Sequence, residues 1–484
     1  MSLGQRTFSG FIWTFTSRLG TRLSIFVVSI VLARLLTPAD FGLIALLAVF
    51  FSISASLVDS GFTLALIREK TISQVDKTTV FYINIFISIF LYIILWFAAP
   101  YIASFFDQPQ LIWLTRIMGL DIIFKAISIV QRAVFMQGLR FKLLSLIDIS
   151  VSILTGLIAI FMAYKGMGVW ALAIKYFLSS LFVSIIFFII NPWLPSGFIN
   201  KNSFDRLFGF GSKLLATGMI NMFFNNIYNL VIGKMFSATI LGFYDRAMNF
   251  YNQSISTVLI SVQQVTYPIL SKVQDDPKRL KLAHQKLINI NAFINFPIAT
   301  LLFFTAEPII VVLLGEKWLE TIPFLQLLSL TGLIAHLGSI NNNLFKVIGR
   351  SDLFLKISVI SKIITVLAIV IGIQFGIWGL VIGSIISQYF TAFIVMYIIT
   401  KHIEYSFLEQ IKDFLRSILL LIPMITISLL LFYTDFSSDL LKMLIMGSVG
   451  ILVYILTAHL SKSLEFTQII ELLKPLVSKN KNHS

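Results

Sequence analysis

Two arginines four residues apart, Arg18 and Arg22, sit inside an otherwise apolar run near the start of the chain. Residues at i and i+4 share one helix face, so the two guanidiniums stack. At 1.5 Å of rise per residue Arg22 lies roughly 13–17 Å from the nearer end of that run, too deep for the side chain to reach water comfortably. No acid occupies a neighbouring helical position. A pair of planar forks without a local carboxylate fits an external anion, and phosphate oxygens match the fork geometry. Pairing with Asp59 on the next apolar run is the competing reading.

Other charges interrupt apolar runs in the same way. Lys175 and Lys362 lack an evident local partner and are candidate binding residues. Asp121 and Lys125 are four apart and can neutralise each other, whereas Arg116 and Lys442 lie near run ends and can reach the interface. Asn221, Asn225 and Asn229 recur every four residues and mark a wet helix face, with Asn225 and Asn229 the candidate contacts; polar packing between helices would produce the same pattern. Asp59, and Glu307 directly before Pro308, are the carboxylates placed to carry a coupling ion. A charge near a bilayer centre costs about 2.5–3.5 kcal/mol, so such residues face protein or water rather than lipid.

The elements that hold these residues are set by composition. The chain of 484 residues is 57% hydrophobic and 12% charged, with mean hydropathy +0.92. A soluble domain carries roughly twice that charged fraction. Runs near the roughly 20 apolar residues needed to span a bilayer recur along the chain, and the alternation of a membrane β-barrel is missing. The expected fold is an all-α polytopic membrane protein of about fourteen spans: 11–33, 41–66, 79–100, 111–131, 143–164, 169–190, 208–231, 240–264, 287–313, 322–345, 357–374, 377–399, 414–433 and 440–460. The opening stretch MSLGQRTFSGFIWTF lacks the parts of a cleaved signal, so the first span is expected to stay.

Charge sets the orientation. With the N-terminus cytoplasmic, 25 lysines and arginines fall on cytoplasmic segments and 4 on the opposite side, a strong positive-inside bias that puts both termini in the cytoplasm. The net charge of +15 is therefore topological and does not point to nucleic acid. Cysteine is absent and the five histidines are scattered, so no metal site is expected. No phosphate-binding loop, H-E-x-x-H motif or long soluble connector gives an enzyme or a cofactor a place.

One turn is written twice. LARLLTPADFG (Leu32–Gly42) is answered 200 residues later by IGKMFSATILG (Ile232–Gly242), with Thr37 on Ser237 and Gly42 on Gly242. GMGVWALAI (Gly166–Ile174) matches QFGIWGLVI (Gln374–Ile382), with Trp170 on Trp378. An even number of spans separates the copies, so the halves run parallel, as in transporters built from parallel repeats. The expected division is 1–200 for an N-terminal lobe, 201–400 for a C-terminal lobe, 401–461 for two further spans and 462–484 for a cytoplasmic tail.

These strings, with DSGFTLALI (Asp59–Ile67), YPILSKVQDD (Tyr267–Asp276), LLGEKW (Leu313–Trp318) and IGRSDLFLK (Ile348–Lys356), resemble the polysaccharide-transport flippases of the multidrug/oligosaccharidyl-lipid/polysaccharide (MOP) exporter superfamily, the lipopolysaccharide and exopolysaccharide biosynthesis group in particular. The resemblance covers nearly the whole chain. It implies two six-helix lobes around a central cavity with two helices appended. It also implies export of a polyprenyl-diphosphate-linked oligosaccharide across a bacterial inner membrane, with the first-helix arginines on the headgroup. Ion-coupled secondary transport by a monomer is expected, beside other glycan-assembly membrane proteins. A multidrug exporter of the same architecture, or a membrane-embedded polysaccharide polymerase or glycosyltransferase, is the alternative. The first would want acids to dominate the cavity, and the spans hold eight bases against five acids.

Overall fold

The computed structural model describes residues 23–69, 72–256 and 266–470, with residues 20 and 259. Among them there is no strand. Helices run α1 (Leu23–Leu35), α2 (Pro38–Asp59), α3 (Phe62–Arg68), α4 (Gln74–Phe106), α5 (Leu111–Gln137), α6 (Phe141–Tyr164), α7 (Val169–Ile190), α8 (Lys201–Met235) and α9 (Ala238–Tyr251). They continue through α10 (described over 266–271), α11 (Pro277–Phe304), α12 (Ala306–Leu313), α13 (Thr321–Val347), α14 (Ser351–Ile373), α15 (Gly376–Thr400), α16 (Phe407–Leu419), α17 (Ile422–Phe432) and α18 (Asp439–Leu460). In lipid the backbone must satisfy its own polar groups, which is why runs of this composition close into helices.

Among the described residues nine helices are long and apolar enough to cross a membrane, and a tenth is formed by α16 and α17, bent by 41° at their junction. The count of about fourteen is thus an expectation that these helices meet only in part. α5 falls short because Arg116, Asp121, Lys125 and Arg132 load it with charge, and α8 because its asparagines lower its mean hydropathy. The run 287–313 divides at Thr305 into α11 and α12, so Pro308 stands in the first turn of a new helix rather than inside a kink.

The chain forms two compact units, Met1–Asp245 and Arg246–Ser484. The first unit takes in α8 and the start of α9, beyond the lobe limit at residue 200 expected from the repeat. Within it the repeated turn explains itself. Thr37 caps α2 in a reciprocal box with Asp40, its hydroxyl 2.7 Å from the carboxylate. Ser237 caps α9 in the same place, accepting from the Ile240 amide at 3.1 Å. A Cβ added at Gly42 would stand 1.7 Å from the Ala238 carbonyl oxygen, and one added at Gly242 would stand 1.9 Å from the Pro38 carbonyl oxygen. Pro38 corresponds to Ala238 and Gly42 to Gly242, so the two copies cross backbone to backbone in a contact that reads the same from either side. Only glycine permits that approach.

In the second unit α13, α14 and α15 pack with α11 on a core that includes Leu337, Phe345, Met396 and Tyr405. The second repeated string opens α7 and α15 through Gly168 (φ +56°) and Gly376 (φ +71°), left-handed positions that glycine fills without strain. Trp378 stacks on Phe324 at 4.8 Å. α17 and α18 join α11 through a cluster in which the Tyr454 hydroxyl donates to the Phe293 carbonyl at 2.9 Å.

Candidate functional site

In the first unit α2, α3, α5, α6 and α7 line a half-open cavity of about 420 Å³. α5 supplies its floor through a stripe at Asp121, Lys125, Ser128 and Arg132, a spacing that keeps all four on one helix face. Asp121 is 9% exposed and accepts from Lys125 at 2.6 Å, so the pair read from sequence forms as an i,i+4 bridge. Arg132 holds Asp148 of α6 in a two-pronged contact at 2.8 and 3.3 Å and lies over the Phe187 ring at 5.5 Å. A bidentate guanidinium pair fixes geometry as well as charge.

Asp59 reaches the same cavity from α2. The helix breaks just beyond it, at Ser60 (φ +44°) and Gly61 (φ +72°). Asp59 then accepts from the Thr63 hydroxyl and from the Thr63 amide at 3.2 Å, satisfying a free N–H at the start of α3. Thr63, Ser128, Tyr176 and Ser180 add hydroxyls to the lining. Three carboxylates, two cations, hydroxyls and an aromatic edge make a chamber able to hold a hydrated, polyhydroxylated group through many hydrogen bonds. The Arg132–Asp148 clamp went unread in the sequence, where Arg132 counts as a loop charge. The α5 stripe at intervals of four, three and four residues was the signal that could have found it.

The remaining predicted residues scatter. Arg18 and Arg22 lie outside the described residues. Lys175 is half-buried on α7, beside the lining residue Tyr176, and Lys362 is half-buried on α14 in the second unit. On α8, Asn221 and Asn225 are exposed and Asn229 is half-buried. Asn226 turns the other way, donating to the Met222 carbonyl at 2.8 Å and to the Ser52 hydroxyl of α2 at 3.3 Å. Asn226 thus packs between helices, whereas Asn225 is exposed. Glu307 is paired with Lys442 at 3.2 Å and its side chain is 42% exposed, so the carboxylate read as placed for ion coupling is half-open and ion-paired. Arg116 stands near the start of α5. It is held between the rings of Trp96 (4.5 Å) and Trp113 (5.1 Å). Among the described residues no group of three or more acid or histidine side chains could hold a metal.

The run of long apolar helices defines a polytopic helical membrane protein. Solved structures share its fold. Lipid II flippase MurJ in an inward closed conformation superposes at TM-score 0.72 with 18% identity, covering 94% of this chain and 98% of that one. An inward-facing multidrug resistance MATE family transporter gives 0.60 with 15% identity, covering 78% and 92%. The model of the family described as polysaccharide biosynthesis protein matches residues 31–323, and the chain belongs to that family. It is 26% identical to the lipopolysaccharide biosynthesis protein WzxC of Escherichia coli K12, over 83% of this chain and 82% of that protein. It is 23% identical to the teichuronic acid biosynthesis protein TuaB of Bacillus subtilis, over 86% and 87%.

Proposed function

We propose that this protein is a flippase that carries a polyprenyl-diphosphate-linked oligosaccharide, a repeat unit of O-antigen, capsule or exopolysaccharide, across the bacterial inner membrane by alternating access. The observation that carries the reading is the pairing of family membership with polar surface in the wrong place for lipid. Exposed Asn225 and a chamber of five charged side chains sit within helices otherwise built for a bilayer. Such groups face water or a polar cargo. A glycan is that cargo: it presents hydroxyls in every direction and needs donors and acceptors such as Asp121, Arg132, Asp148 and Tyr176. The names of the relatives, in lipopolysaccharide and teichuronic acid biosynthesis, agree.

In this reading Arg18 and Arg22 grip the diphosphate, Lys175 and Lys362 add positive charge along the path, and Asn225 and Asn229 contact sugar. The lobes that alternate are 1–200 and 201–400. Both termini lie in the cytoplasm, a placement that the loop-charge bias supports, and the working unit is a monomer. Energy comes from an ion gradient. Asp59 is placed for coupling but would have to release the start of α3, and Glu307 would have to leave Lys442. The acid excess of the chamber, three against two among the described residues, is the one feature that favours a cationic drug instead.

The test is Arg22→Ala at normal membrane level. Export of the cognate glycan should be abolished or greatly reduced, and Arg22→Lys should keep part of it because charge survives without the fork. Wild-type export from the alanine variant removes Arg22 from the mechanism.

A further inference from the structure

Arg116 belongs neither to the chamber nor to the proposed transport path. It follows Leu111, the first residue of α5, by five positions, which at 1.5 Å of rise sets its Cα about 7–8 Å below the start of the helix. A helical side chain leans back towards the N-terminus of its helix, so the guanidinium climbs towards that end. Two indoles receive it, Trp96 of α4 at 4.5 Å and Trp113 of α5 at 5.1 Å.

The aromatic frame is held from both helices. α4 and α5 close on one another at Gly119, where an added Cβ would stand 2.8 Å from the Tyr92 ring. Tyr92 meets Trp96 edge-on at 5.9 Å, and Trp96 meets Trp113 edge-on at 6.5 Å, so each ring fixes the next. A guanidinium over a ring face gains about 0.5–2 kcal/mol, but a ring is a poor acceptor for its five N–H groups. The Nε atom is buried with no hydrogen-bond partner. The acids nearest along the chain are spent elsewhere, Asp107 on Lys234 at 3.1 Å and Asp121 on Lys125 at 2.6 Å. The cluster also opens outward. Trp113 is 55% exposed, and beside Trp96 the α4 surface turns Phe90, Ile93, Phe97 and Tyr101 out, one every three or four residues. That stripe faces acyl chains, and tryptophan and tyrosine gather where acyl chains give way to headgroups. On the loop-charge orientation this is the outer leaflet.

We infer that Arg116, Trp96 and Trp113 form a binding site for the phosphate of an anionic phospholipid in that leaflet. The outer edge of the guanidinium takes two phosphodiester oxygens in a forked contact, and the acyl chains lie along the α4 stripe. A headgroup without an ammonium fits best. The indole faces that could cage a choline cation are filled by the guanidinium, and no carboxylate pairs with Arg116 that could turn to an ethanolamine instead. The lipid supplies the acceptors that the protein withholds and ties α4 to α5 at the membrane surface. None of this rests on the transport reading.

The experiment reads tryptophan fluorescence of the full-length protein in phosphatidylcholine vesicles carrying a fixed minor fraction of dibrominated phosphatidylglycerol or of dibrominated phosphatidylcholine. Bromine quenches at contact, and two of the seven tryptophans flank the site. In wild type the glycerol lipid should quench with an apparent affinity several-fold above that of the choline lipid. Arg116→Gln should lose most of that preference. Arg116→Lys should keep only part of it, because charge survives without the fork, and it carries the test alone should a melt show the glutamine variant unfolded. Lys165→Gln removes equal charge from the same membrane face, where Lys165 lies over Phe161 at 5.7 Å, and should keep the full preference. Inorganic phosphate at tens of millimolar should change nothing, since the ligand comes from the bilayer. The inference is overturned by no preference in wild type, by undiminished preference in either Arg116 variant, by an equal loss in Lys165→Gln, or by displacement with inorganic phosphate.

Discussion

Gly42→Ala perturbs the crossing of the two repeated turns at one atom. The new Cβ would stand 1.7 Å from the Ala238 carbonyl oxygen, whereas carbon and oxygen rest at about 3.3 Å. The chains must part by about 1.6 Å, and the obstacle is backbone, which cannot rotate away. Overpacking a closed contact costs about 1–3 kcal/mol, and a fixed obstacle puts this case at the upper end. For a unit of this size roughly 2 °C is lost per kcal/mol, so purified Gly42→Ala should unfold about 6 °C below wild type in a tryptophan-fluorescence melt. Gly242→Ala, at 1.9 Å from the Pro38 oxygen, should behave alike. The double variant should cost little more than the worse single, since the first methyl has already opened the gap for the second. Gly447→Ala is the control: nothing lies within 4 Å of its added Cβ, and alanine favours its helix by about 1 kcal/mol. A Gly42→Ala melt indistinguishable from that of Gly447→Ala, or strictly additive losses in the double variant, would refute the reciprocal contact.

Arg132→Lys keeps the charge opposite Asp148 but not the two-pronged contact. The pair is about one-third exposed on each side, so the melt should shift by less than about 2 °C, while export measured by surface glycan should fall clearly. An unchanged export level would remove the clamp from the chamber's work. Asn225→Leu separates a wet helix face from a lipid-facing one. Membrane level should hold and export should drop, and full export would mean that Asn225 looks at acyl chains.

The helices were legible because a bilayer imposes length and apolarity on each one separately, and both constraints are local. The break after Asp59 was not read, since the span 41–66 runs straight through Ser60–Gly61, and only the structure shows Asp59 capping α3. Spacing alone announced the Asp121–Lys125 bridge, since four residues on one helix decide it. Arg132 with Asp148 was not legible in that way: the partners lie on different helices, and pairing across helices depends on their relative rotation. Glu307 misled for the same reason, its partner Lys442 being remote in the chain. The repeat was visible as two copies, but not that they touch, because a contact across 200 residues leaves no periodicity.

The central claim is that this chain moves a lipid-linked glycan between leaflets. Its most direct measurement follows a polyprenyl-diphosphate-linked oligosaccharide from the host's own pathway in vesicles containing the purified protein, scoring the fraction of glycan open to an external glycosidase. Vesicles with the protein should expose inner-leaflet glycan that protein-free vesicles keep protected, and Arg22→Ala vesicles should resemble the empty ones. Equal protection with and without the protein would contradict the account.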